Sequence, residues 1–425
     1  MNSLANILAP LLMLTIVLAS CAPSTASLAI SNKVRISNPA IATGDLKTLV
    51  DGNNAFALDI YQVLHFQSGN LILSPYSISL ALAMTYAGAR NETESQMSQV
   101  LHFSQPQNRL HPAFNALDFA LEKSPENVRE NQQPLALDIA NAIWAEKTLP
   151  FQPDYLDTIA LNYGAGIHLA DFINQYEPAR KDINNWVSDQ TKKKIQNLLP
   201  ANSLDTNTRM VLVNAIYFKA DWLNQFDPDS TSDAPFFLLD NSQVSVKMMS
   251  ERSFLPYLKG DGYQAVELPY AGDTAAMDII VPDAGTFEKF ESSFNKATYD
   301  AMLSGMQSTM VELSLPKFTF TKDFDLNEVL GNMGMPAAFD LDLADFSGLT
   351  GKKDLYIGKV LHKAFVAVDE KGTEAAAATA VIMMPTSVLA SLVVVEVNHP
   401  FIFIIHDKVN GQILFIGRVL NPTEN

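Results

Sequence analysis

The stretch DEKGTEAAAATAVIMMPTS, Asp369 to Ser387, decides how the chain is read, because taken alone it contradicts itself. Four consecutive alanines are strong helix formers. Val381 and Ile382 favour strand, and Gly372 weakens either. Two readings follow from these residues: an Ala-rich surface loop, or a segment that must live in two conformations.

The chain around it has 425 residues, 48% of them hydrophobic, which is ordinary for a globular protein. Length alone suggests two or three domains. A formal charge of −17 argues against a nucleic-acid partner. The longest basic run, Lys192 to Lys194, reads as a solvated helix face. The N-terminus is apolar from Ile7 to Cys21, too short for a span and interrupted by Pro10, so it reads as a signal segment over residues 1–21. Leu18-Ala19-Ser20-Cys21 resembles a bacterial lipobox, which implies acylation of Cys21 and a membrane-anchored lipoprotein at the cell surface or periplasm. Residues 1–6 carry no Lys or Arg, which departs from that pattern and leaves ordinary secretion, or an apolar arm of a cytoplasmic protein, as alternatives. Cys21 is the only cysteine, so the remainder has no disulfide, no thiol nucleophile and no Cys-based zinc site.

Residues 22–50 are rich in Ser, Ala, Asn and Thr, have no sustained periodicity, and read as a flexible tether. From Asp51 to the end no linker, repeat or composition shift appears, so residues 51–425 read as one large domain. Its first part is helical. NAFALDIYQVLHF places Phe56, Ile60, Val63 and Leu64 near the 3.6 period. SISLALAMTYAGA is apolar almost all round and reads as a buried helix opened by Ser74-Pro75. RKDINNWVSDQTKKKIQNLLP reads as an amphipathic helix ended by Pro200. The later part is β-rich: MVLVNAIYFKADW, AAMDIIVP, MVELSLPKFTFT, SLVVVEVNHPFIFIIHD and QILFIGRVLNP. The class is therefore α+β with large mixed or antiparallel sheets.

Catalytic signatures are missing from the sequence. There is no G-x-S-x-G, H-E-x-x-H, P-loop or C-x-x-C. Gly260-Asp261-Gly262 opens a GxGxxA string, but its surroundings, YLKGDGYQAVELPY, read as a hairpin turn. The seven histidines are scattered with no i,i+4 helical pair, so neither metal nor cofactor is expected. A surface hydrolase with a dispersed triad is the alternative from another class, and the sequence offers no nucleophile for it.

With its surroundings included, HKAFVAVDEKGTEAAAATA resembles the hinge and reactive-loop region of the serpins. GNLILSPYSISLALAMTYAGARNETESQM, VLVNAIYFKADWLNQFDP, LPKFTFTKDFDLNEVLGNMGM, NHPFIFII and LFIGRVLNP resemble further serpin blocks, in serpin order, over about residues 50–425. The resemblance implies the serpin fold with an exposed reactive-centre loop at about residues 372–395. It also implies suicide inhibition of serine, and possibly cysteine, endopeptidases in a covalent one-to-one complex. A protease acylated by the cut loop is dragged along as that loop inserts into the central sheet. The protein is then no enzyme, and a monomer is expected. The alternative within the family is a serpin that is merely cleaved, or that acts as a binding protein.

The residues fit that implied insertion. One face carries Thr373, Ala375, Ala377, Thr379 and Val381, all small or β-branched. Glu374 falls on the other face with Ala376, Ala378 and Ala380. Gly372 supplies a hinge, and Pro385, unable to join a ladder, suits its end. Ladder bonds at about 1 kcal/mol each, with some apolar burial, would release on the order of 10 kcal/mol. Counting from Glu370 as in inhibitory serpins places the cut at Thr386-Ser387, with Val388 or Leu389 as alternatives. A threonine there suits an elastase-like or subtilisin-like pocket. The resemblance further implies a shutter of Ser74, Ser77, Asn214 and His362. It assigns Trp222 to the breach at the top of the sheet, and an ion pair of Lys317 with Glu370 to the base of the loop.

Overall fold

The computed structural model describes residues 27–123, 128–130, 132–133, 135–373 and 392–424. In chain order the elements begin with β1 (Ser27–Ala29), α1 (Asp45–Leu64), β2 (Leu71–Leu73), α2 (Pro75–Tyr86), α3 (Asn91–Val100) and α4 (Gln107–Glu122). Then come β3 (Ala136–Glu146), α5 (Pro153–Tyr163), β4 (Ile167–Ala170), α6 (Phe172–Gln190) and β5 (Met210–Asp221). The β-rich part has β6 (Ser232–Phe237), β7 (Gln243–Lys259), β8 (Tyr263–Pro269) and β9 (Ala275–Pro282), followed by α7 (Phe287–Ser293) and α8 (Lys296–Gly305). The chain continues through β10 (Gln307–Pro316), β11 (Phe318–Asp325), α9 (Asn327–Met333), α10 (Ser347–Thr350), β12 (Lys359–Val368) and β13 (Gly372–Thr373). It closes with β14 (Val393–Glu396), β15 (Phe401–Asp407) and β16 (Ile413–Val419).

Two sheets organise these elements. A seven-stranded sheet runs β1-β4-β3-β5-β13-β12-β11. A nine-stranded sheet runs β14-β10-β7-β8-β9-β15-β16-β2, with β6 paired to β7. The sequence explains the centre of the first. β5 is MVLVNAIYFKAD, almost wholly apolar and β-branched, and eleven of its twelve residues are buried. It can therefore be covered on both faces, antiparallel to β3 on one side and parallel to β12 on the other.

All twelve residues of α2 are buried, as an all-round apolar helix requires. Ser74 caps it, its side chain accepting from Ser77 N–H, and Pro75 opens its first turn. On α1, Phe56, Ile60 and Leu64 face the core while Val63 is exposed. YLKGDGYQAVELPY forms the turn between β7 and β8, with Gly262 at φ 77°.

Two boundaries differ from the sequence expectation. α6 ends at Gln190, ten residues before Pro200. Thr191 caps it, its hydroxyl donating to Val187 O, and Lys192 and Lys193 take φ of 50° and 65°. The lysine run is exposed as expected, but in a turn rather than on a helix. At the N-terminus, the segment read as a tether carries structure from Ser27 onward. β1 pairs antiparallel with β4, and Arg35 clamps α4: it donates to Asn115 Oδ1 at 2.8 Å and Asp118 Oδ2 at 2.6 Å, and lies 4.2 Å over the Phe119 ring. α1 then starts at Asp45. Periodicity could not reveal this segment, because single residues anchor it.

Candidate functional site

A row of polar side chains crosses the middle of the seven-stranded sheet. Asn141 of β3 stands opposite Asn214 of β5, and Asn214 stands opposite His362 of β12. Phe324 of β11 continues the row and stacks on His362, with 6.2 Å between ring centroids and 7° between planes. Below the row lies the start of α2. Ser74 N–H donates to His362 Nε2 at 3.0 Å, so the ring proton sits on Nδ1 and is donated to Asn214 Oδ1. Asn214 Nδ2 donates to Ser77 Oγ at 2.6 Å and to Asn141 Oδ1 at 2.5 Å. Asn141 Nδ2 returns a bond to Ser77 O at 3.0 Å, and Ser74 Oγ donates to Leu414 O of β16 at 2.7 Å. Ser74, Ser77, Asn214 and His362 are all fully buried. Burial holds the His362 pKa down to about 3, so the imidazole is neutral, as its accepting Nε2 requires.

Above this row the sheet parts. β5 and β12 pair directly from Val211 and Lys359 up to Tyr217 and Phe365. Beyond that, the chain leaves β12, turns through Asp369–Lys371 and re-enters between the two strands as β13. Thr373 stands opposite Ala220 of β5 and Val368 of β12. The turn is fixed by Asp369 Oδ1, which accepts from Lys371 N–H at 2.9 Å and Gly372 N–H at 3.3 Å. Thr373 is 1% exposed and its hydroxyl lies 2.8 Å from Tyr270 Oη.

Trp222 stacks on Tyr270, with ring centroids 4.6 Å apart. It donates its indole N–H to Asp369 O at 3.0 Å and its backbone N–H to Lys371 O at 2.6 Å. Glu370 accepts from Lys317 Nζ at 2.6 Å and from Thr231 Oγ1 at 2.9 Å. Burial favours its neutral acid, but these donors prevail and hold the carboxyl below its usual range.

The residues named from sequence thus fall into two assemblies. Ser74, Ser77, Asn214 and His362 form the mid-sheet network; Trp222, Lys317, Glu370, Gly372 and Thr373 form the top. Glu374, Ala375, Ala376, Ala377, Ala378, Thr379, Thr386, Ser387, Val388, Leu389 and Cys21 lie outside the described residues. Gly372 is present for a different reason from the one expected. It is not among the glycines with positive φ; instead an added Cβ would lie 2.1 Å from Ala220 O. Close approach to β5 requires the glycine here, not an unusual dihedral. Sequence reasoning missed Asn141, Thr231 and Tyr270. Asn141 could have been found as the one polar side chain in the ANAIWA core of β3; Thr231 and Tyr270 carried no comparable signal.

The centre of the sheet is thus a strand pair bridged in its middle by a buried polar row and held apart at one end by the chain that leaves it. The family model described as "Serpin (serine protease inhibitor)" fits residues 51–422, and the chain belongs to the serpin family. It is 38% identical over 376 residues to the leukocyte elastase inhibitor of Xenopus tropicalis, spanning 86% of this chain and 97% of that one. It is 36% identical to the leukocyte elastase inhibitor of Homo sapiens, over 89% of this chain and all of that one. Its fold is similar to that of the thermophilic serpin tengpin in its native state (TM-score 0.81, 30% identity, 93% of this chain and 99% of that one). It is similar also to human thyroxine-binding globulin complexed with its hormone (TM-score 0.79, 30% identity, 89% and 100%).

Proposed function

We propose that this chain is a suicide-substrate inhibitor of serine endopeptidases with an elastase-like or subtilisin-like preference. The protease serine Oγ attacks the Thr386 carbonyl carbon. The Thr386–Ser387 C–N bond breaks, and the new Ser387 amine takes the proton. The Thr386 acyl ester then holds the protease while residues from Glu374 onward enter between β5 and β12. The observation that carries this reading is the two-residue wedge of Gly372–Thr373, already in register with both strands between which the rest would insert.

Register gives the insertion a path. Thr373 pairs with Ala220 and Val368, so an antiparallel continuation sets Thr379 opposite both Asn214 and His362. A threonine hydroxyl would arrive where the Asn214–His362 contact has to break, and could bond to both. The alanines on the same face would lie at the levels of Phe218 and Ile216, and none brings a charge into the core. That relatives at 36% and 38% identity are leukocyte elastase inhibitors supports the choice of protease class. For location we propose export and anchoring through acylated Cys21, a reading that rests on the lipobox-like Leu18–Cys21 alone.

The test is to mix the full chain with elastase and with subtilisin. A boiling-resistant band at the summed mass, with a released peptide beginning at Ser387, is the expected result. Clean cleavage without that band, by every protease of this preference, overturns the reading in favour of a cleaved, non-inhibitory serpin.

A further inference from the structure

We propose that Glu267, Asp278 and His406 form a binding site for a divalent cation of the zinc class. They come from three adjacent strands of the nine-stranded sheet. Glu267 of β8 stands directly opposite Asp278 of β9. His406 of β15 lies two residues along from Ile404, the partner of Asp278, and so on the same face. The sheet therefore fixes the three side chains rigidly, and each is more than nine-tenths buried (7%, 0% and 5% exposed). One ligand atom from each lies within 4.8 Å of the others.

His406 is drawn into ion pairs with both carboxylates, and the separations leave room for a metal in their place. His406 Nε2 lies 3.4 Å from Asp278 Oδ2 and 3.5 Å from Glu267 Oε2. A charge-assisted N–H···O bond would be about 2.7–2.9 Å. Donors on a tetrahedral ion at about 2.0–2.1 Å stand about 3.3–3.4 Å from one another. Two side-chain atoms here also want a partner: His406 Nε2 and Asp278 Oδ1 are buried with no hydrogen bond.

The surroundings orient the three as supporting groups around a metal do. Tyr299 Oη donates to Asp278 Oδ2 at 2.8 Å. Lys408 Nζ holds Glu267 Oε1 at 2.9 Å, which leaves Oε2 turned to His406, and it also pairs with Asp273 at 2.6 Å. Two carboxylates balance a dication, and Lys408 balances Asp273. One imidazole with two carboxylates suits zinc or cobalt, with water as the fourth ligand. Three ligands are too few for calcium, which takes six to eight oxygens. No sequence spacing could announce the site, because its ligands span residues 267 to 406 on separate strands.

The test uses the full chain stripped with chelator. Calorimetric titration with zinc chloride should give one saturable site, and thermal unfolding should move upward with zinc but not with magnesium or calcium. Cobalt should give the visible absorption of a four- or five-coordinate ion. Asp278→Asn and His406→Gln should each weaken zinc by about 100-fold, and Tyr299→Phe by about tenfold. His102→Ala, which removes an exposed His–Asp59 pair on another face, should change nothing. If Asp278→Asn or His406→Gln fails to fold, Tyr299→Phe decides. The proposal is overturned if zinc does not saturate a single site, if these variants bind it unchanged, if His102→Ala abolishes binding, or if calcium stabilises equally.

Discussion

Asn214 and His362 face each other across the parallel β5–β12 ladder, and His362 gives its one ring proton to Asn214 Oδ1. Among the described residues no other side-chain bond of the polar row crosses between these two strands, so on the proposed reading it is the contact that a third strand would have to break. Its strength sets a balance. Under the proposed mechanism, too weak a bond would let the strands part unprompted, and too strong a bond would make insertion lag behind deacylation.

Asn214→Ala should lower stability by about 1–3 kcal/mol, because it leaves His362 Nδ1–H buried without an acceptor. It also frees Ser77 Oγ and Asn141 Oδ1 from their shared donor. Urea unfolding followed by tryptophan fluorescence reads this directly. A loss under about 0.5 kcal/mol would mean that the row contributes nothing beyond surface-level polarity.

Acid should weaken the fold through the same histidine. Burial depresses the His362 pKa from 6.5 to about 3, and that of His111, beside Tyr163, to about 4. Between those values the unfolded chain binds more protons than the folded one. The stability tied to these two histidines is therefore full above about pH 6.5 and falls as pH drops, by up to about 1.4 kcal/mol per unit for each. Unfolding measured from pH 7 to pH 4 should show this slope, and His362→Gln should make it shallower. An unchanged slope would assign the effect to His111 and the carboxylates.

Thr373→Arg should convert an inhibitor into a substrate. A guanidinium cannot occupy a position that is 1% exposed and packed on Tyr270. On the proposed reading, the complex formed per inhibitor molecule cleaved should then fall at least about tenfold as cleavage outruns insertion. Gly372→Ala should act in the same direction through its clash with Ala220 O. Complex yield on denaturing gels checks both.

Lys317→Met should cost little, about 0–1 kcal/mol, since the lysine side chain is 36% exposed. The effect should depend on pH. Glu370 has a depressed pKa, so the stability it contributes is present above the usual carboxylate value of 4.5 and lost as pH falls through its folded value. Comparing parent and variant at neutral pH and in mild acid tests the sign: the difference should shrink in acid.

The fold was legible because its blocks carry their own physics. A mostly apolar α2 behind Ser74-Pro75, and an almost uniformly apolar β5, each admit one placement. The four mid-sheet residues could be named because the resemblance supplied them, yet nothing in the sequence joined Asn141 to them. Its strand had not been singled out, and a network of side chains from β3, β5, β12 and α2 leaves no periodic trace. Tyr270 was hidden for the same reason, its partner lying 103 residues away. The end of α6 failed because two lysines adopt positive φ, a conformation that residue type does not announce. At Gly372 want of space selects the residue that flexibility would also have selected, so the sequence could not tell the two causes apart.

The N-terminal strand has a practical consequence. β1 is the edge of the seven-stranded sheet, and Arg35 fastens the segment behind it to α4. Trimming the chain to the start of α1 would leave β4 with a row of unpaired backbone groups facing solvent, a ready template for another chain. It would also strand Asp118, 18% exposed, without its guanidinium. Recombinant material should therefore begin no later than Ser27, or self-association through β4 will be mistaken for a property of the inhibitor itself.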